Sequence, residues 1–78
     1  MTTRKLRRRA DRKILRSLRD HGGTLCVKHL HEATRLSMRQ FGPAIVRLVE
    51  SGEVEVLTVY TGENVVVDHI FRLAEYLE

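Results

Sequence analysis

The chain has 78 residues and 42% apolar content, which suits one small folded domain and is too apolar for a wholly disordered chain. No apolar run reaches the length of a membrane span, the N-terminus lacks the apolar segment of a secretory signal, and a lone Cys26 excludes an internal disulfide, so a reducing compartment fits. The formal charge of +4 divides into +7 over residues 1–20, +2 over 21–50 and −5 over 51–78, and so dense a basic end favours a polyanion, nucleic acid ahead of a membrane surface.

Residues 1–10 read as a basic arm carrying Arg4, Lys5, Arg7, Arg8 and Arg9. Such an arm contacts phosphates or enters a minor groove. The plainer alternative is a solvated, frayed helix start, and the one-sided charge favours the arm. The folded domain is expected over 11–78. Asp11 can cap a first helix whose apolar side is Ile14, Leu15 and Leu18. Leu6 and Ala10 continue the same spacing and would let that helix begin earlier. Arg12, Lys13, Arg16 and Arg19 fill its other faces, and Asp20-His21-Gly22-Gly23 stops it.

Thr24-Leu25-Cys26 is a short β-prone piece. Val27 to Arg35 reads as a second helix, with Val27, Leu30 and Thr34 on one side and Lys28 and Glu32 paired four residues apart. A third helix lies between Leu36 and Gly52. Its apolar face is Phe41, Ile45, Leu48 and Val49, and the opposite face is expected to carry Arg39, Gln40, Ala44 and Arg47. Ser37 can cap this helix, but Pro43 would then fall in its interior, where proline removes a hydrogen bond and crowds the preceding turn. A start near Gly42-Pro43 avoids the conflict and is preferred, leaving Met38 to Phe41 as an extended turn.

Val54 to Tyr60 reads as a half-buried strand in which Val54, Val56 and Thr58 alternate with Glu55 and Leu57. Thr61-Gly62-Glu63-Asn64 is a turn, and Val65 to Phe71 is the return strand of a β-hairpin. Leu73 to Leu77 is expected to add a last helical turn with Leu73, Tyr76 and Leu77 apolar.

The expected fold class is α+β, in the order helix, short strand, helix, helix, strand, strand. With Asp11-Arg12-Lys13-Ile14-Leu15-Arg16-Ser17-Leu18, Leu36-Ser37 and Ile45-Val46-Arg47-Leu48-Val49-Glu50-Ser51-Gly52-Glu53-Val54, the chain resembles a winged helix-turn-helix domain over residues 11–72. That is a three-helix core with a β-hairpin wing. Similar phrases open the DNA-binding domains of prokaryotic regulators of the leucine-responsive and multiple-antibiotic-resistance families. The resemblance implies sequence-specific binding of duplex DNA by homodimers, as in small prokaryotic or viral transcription regulators. Two features depart from it. His31 and Arg35 stand where such units place a small residue and glycine, which implies a looser turn or a register with Ala33 as the small contact. The wing turn carries Glu63 and no base, and an acid there repels phosphate.

No catalytic or cofactor motif is readable. Ser17, Ser37 and Ser51 have helix-end or surface explanations, and no glycine-rich phosphate loop or carboxylate pair occurs. Cys26, His29 and His31, with His21 nearby, match no established zinc spacing, so no metal or cofactor is expected. The expected function is transcriptional regulation in the cytoplasm, on a nucleoid or inside an infected host cell. Ser37, Arg39, Gln40 and Arg47 would contact the duplex, the last three in the major groove, and the arm with Arg12 would hold phosphates. The alternatives are a protein-interaction module docking through the acidic hairpin, and RNA binding by the basic first helix. A two-fold dimer through Leu73, Tyr76 and Leu77 is preferred over a head-to-tail row in which the acidic hairpin meets the next basic helix.

Overall fold

Ile14, Leu15 and Leu18 recur at helical spacing and are buried on one side of α1, Arg9–Asp20. The computed structural model describes residues 8–74, so Arg4, Lys5 and Arg7 of the arm, and Tyr76 and Leu77, lie outside the described residues. Helix α1 begins two residues before Asp11, in keeping with the spacing of Ala10. Asp11 sits in its first turn rather than at the cap. At the other end Gly22 and Gly23 take φ of 84° and 92°, a left-handed region that suits glycine, and the Gly23 N–H donates to the Leu18 carbonyl at 2.6 Å.

The chain then forms β1 (Thr24–Cys26), α2 (Val27–Thr34), α3 (Met38–Glu50), β2 (Val54–Tyr60) and β3 (Val66–Leu73). The three strands make an antiparallel sheet in the order β1-β3-β2. Leu25 and Val56 both stand opposite Phe71, and Val54 stands opposite Leu73, so these side chains share the face turned to the helices. The pairing shifts between Val59 and Tyr60, whose partners are Asp68 and Val66, leaving Val67 as an extra residue in β3.

One core joins all three helices to the base of the hairpin. Leu30 enters it from α2, Leu36 from the turn after it, and Phe41, Ala44, Ile45 and Leu48 from α3. Val54, Phe71 and Leu73 close it from the sheet. The described residues are thus an α+β unit of three helices and a three-stranded antiparallel sheet, compatible with a winged helix. Among them no helix is long and apolar enough to cross a membrane.

Besides the cap expected of Asp11, three expectations change. Helix α3 starts at Met38, not at Pro43. The Ser37 hydroxyl accepts from the Gln40 N–H at 3.3 Å while the Gln40 side chain accepts from the Ser37 N–H at 3.3 Å, a reciprocal cap. That cap and the burial of Phe41 outweigh the backbone donor missing at Pro43, which lies on an exposed side of the helix. Ala44 is fully buried rather than on the outer face. Leu73 ends β3 at 2% exposure, so it belongs to the core and offers no side chain to a dimer contact.

The cap and the core predict different losses. Ser37→Ala should lower stability by about 1 kcal/mol. Leu48→Ala, at a site 1% exposed, should lower it by about 2–5 kcal/mol. Urea titrations followed by circular dichroism check both, and a Leu48→Ala chain with an unchanged midpoint would contradict this helix face.

Candidate nucleic-acid interface

Burying Asp11, Ile14, Leu15 and Leu18 on one side of α1 turns the other side outward. Arg9, Arg12, Lys13, Arg16 and Arg19 follow one another at intervals of three, one, three and three residues, so they form a stripe along that outer side. A shallow open groove runs along it, lined by these five cations and Leu15. At 1.5 Å per residue the stripe is about 15 Å long. Arg8, just before the helix, is also exposed.

Asp11 is the acid of α1 that faces inward. It is 9% exposed and receives the Arg47 guanidinium from α3, with Nη2 to Oδ1 at 2.7 Å and Nε to Oδ2 at 3.3 Å. This two-pronged geometry fixes both side chains. The hydrogen bond to Asp11, and then its charge, raise the Arg47 pKa above the ordinary value. Arg47 was expected to reach a base edge. The structure gives its guanidinium to α1 instead.

The outward side of α3 therefore differs from the sequence-based expectation. Arg39, Pro43, Val46 and Glu50 occupy it, with Met38 exposed at the helix start. Gln40 is exposed but holds the Ser37 cap, and the Ser37 hydroxyl is likewise engaged by Gln40. Of the expected readers, Arg39 is the one on the outward side. Its neighbourhood is small and apolar rather than uniformly basic.

The turn between α2 and α3 adds a residue that the sequence reading treated only as a departure. Arg35 caps α2 in the left-handed conformation, with φ 58°, and its side chain is exposed. Glycine would take this position with less strain. The turn is tight, because the Leu36 N–H donates to the Thr34 hydroxyl at 3.3 Å and that hydroxyl donates to the His31 carbonyl at 2.9 Å. The bulk of His31 is also used: Nε2 donates to the Leu36 carbonyl at 2.7 Å, and its ring centre lies 4.9 Å from that of Phe41. Positive charge just before a capped helix was the available signal for Arg35.

The remaining histidines and the cysteine do not converge. His21 donates through Nδ1 to the Ser17 carbonyl at 2.8 Å, and Cys26 is half-buried at the end of β1. Among the described residues no group of three or more His, Cys, Asp or Glu side chains is placed to hold a metal ion. The turn of the β2–β3 hairpin carries Glu63 and no cation, with Asn64 at φ 65°.

No family model matches the chain, and neither a curated protein nor a solved structure is detectably similar to it.

If Asp11 and Arg47 act as a strut between α1 and α3, Asp11→Ala and Arg47→Ala should each lower the melting temperature. The double variant should fall by less than the sum of the two. Additive losses in thermal melts would show that the pair contributes no coupling.

Proposed function

We propose that the chain is a winged-helix module that binds duplex DNA and acts in transcriptional regulation. The observation that carries this reading is the row of cations on the outer side of α1, in which Arg9, Lys13 and Arg16 extend the charge of the arm. A stripe of that length spans several phosphates of a duplex, and releasing their counterions supplies affinity without regard to sequence. The arm residues Arg4, Lys5, Arg7 and Arg8 continue the same role in this reading.

Base contacts would come from the start of α3. Arg39 and Met38 are exposed there, and Arg35 stands just ahead in a conformation that favours glycine, a strain that is more often kept where a side chain has work to do. In this reading Arg47 is a strut rather than a reader, because its guanidinium is paired with Asp11. The hairpin turn, acidic at Glu63, would stay off the phosphates. Apolar exposure along the hairpin favours a protein contact there as a second role.

Titration against duplex DNA, duplex RNA and single strands at several salt concentrations tests the proposal. Lys13→Ala with Arg16→Ala should weaken binding on every duplex and flatten the slope of log K against log salt by about 0.9 per lost contact. Arg39→Ala should remove about 1–3 kcal/mol at one base position while leaving the slope within about one contact of wild type. An unchanged slope in the α1 variant would show that the stripe does not hold phosphates. Equal or tighter binding to duplex RNA would move the target to that polymer.

A further inference from the structure

Strand β2 has β3 on one side and, among the described residues, no strand on the other, since the sheet order is β1-β3-β2. Its sequence is Val-Glu-Val-Leu-Thr-Val-Tyr, strongly β-forming, without lysine or proline. Proteins usually protect a long outer strand with such residues, a bulge or a covering element, because its free N–H and C=O groups template another strand. Here the bulge lies on β3, at Val67, and leaves β2 regular. Beyond Val54 and Glu55 every residue of β2 is exposed, with Val56 at 39%, Leu57 at 38% and Tyr60 at 57%. The other outer strand, β1, is three residues long and runs directly into α2.

We propose that β2 pairs with β2 of a second copy, antiparallel about a two-fold axis at Leu57, to form a continuous six-stranded sheet. Leu57 is the midpoint of Val54–Tyr60, so this register overlaps the whole strand. It sets Val54 opposite Tyr60, Glu55 opposite Val59, Val56 opposite Thr58 and Leu57 opposite itself. Each apolar residue gains an apolar or β-branched neighbour, except that Val59 meets the stem of Glu55.

Charge argues for a second copy as the occupant. A chain of net +4 should repel its copies, but that charge is concentrated over residues 1–20. The one charged residue in β2 is Glu55, and it is already paired with Arg72 of β3 at 2.5 Å. In the two-fold register the two Glu55 carboxylates do not face each other. The edge is thus neutral and self-complementary, as an isologous contact requires. This inference concerns assembly alone and does not rest on the nucleic-acid reading.

Sedimentation equilibrium of the full chain without nucleic acid, at low and high salt, should give a dimer that persists at high salt. Val59→Glu should raise its dissociation constant by about tenfold or more, because two like-charge pairs form against Glu55 across the axis. Val59→Lys should not weaken the dimer, because each lysine faces a carboxylate. Both variants are made with Asp68→Asn, which removes the acid opposite Val59 within the hairpin, and their melting curves must match that background. As a second measurement, Leu57→Cys in a Cys26→Ser chain should oxidise to a copy-to-copy disulfide, since directly opposed residues lie within bridging distance, while Glu63→Cys should not. A monomer under all conditions overturns the proposal. So does a dimer insensitive to Val59→Glu that Leu57→Cys fails to cross-link.

Discussion

The core of this protein reaches only the base of its hairpin, and much of the structure follows from that limit. Three short helices can surround Val54, Phe71 and Leu73, and beyond that register they run out. From Val56 onward β2 is exposed, and Tyr60, Val65, Val66 and Val67 stand in solvent although their side chains are apolar. A small domain has too little interior to hide all its apolar surface. A strand this apolar on both faces is the composition of a sheet interior, not of a solvated ribbon. That exposure is the observation on which the proposed pairing of two copies rests.

The ion pair between Asp11 and Arg47 ties two helices of that core together. It lies 36 residues apart in sequence and joins the first turn of α1 to the last turn of α3. It also sorts charge. The inward acid of α1 is satisfied by a cation from α3, so it subtracts nothing from the outer side of α1. The outer side of α3 loses one cation by the same act. The result is a basic α1, as the density of cations over residues 1–20 already indicates, and a nearly neutral outer side of α3, where local spacing had placed Arg47.

These two helices show what local sequence patterns can carry. Period alone locates the helix faces built on Ile14, Leu15 and Leu18 and on Phe41, Ile45 and Leu48, and glycine locates the stops at Gly22-Gly23 and Gly52. Two β-prone runs about a polar turn locate the hairpin, but the alternation of Val54, Val56 and Thr58 does not mark a half-buried strand, since β2 is exposed from Val56 onward, and the return strand runs Val66–Leu73 rather than Val65 to Phe71. Arg47 is different, because its position on a helix wheel fits a groove face or a flank equally, and only the tertiary partner decides. Ala44 is ambiguous for a similar reason, being small enough for either side. Pro43 misleads because its penalty is visible in one residue, whereas the opposing gain is spread over Ser37, Gln40 and Phe41. Leu73 misleads because its strand register depends on Gly23 and Val54, which are distant in sequence.

The two proposals, a basic α1 and a self-pairing β2, reinforce each other if both hold. One stripe of five cations gives modest, salt-sensitive affinity for a polyanion. Two such stripes in one two-fold particle would bind as a linked pair, so the second contact would form at the effective concentration set by the sheet rather than by the bulk. The geometry must then let both stripes touch one polymer at once, and the axis through Leu57 fixes that geometry. Assembly through the hairpin would in this way govern binding through the helix. It would also give a purpose to an apolar hairpin whose turn carries Glu63 and therefore has no attraction of its own for phosphate.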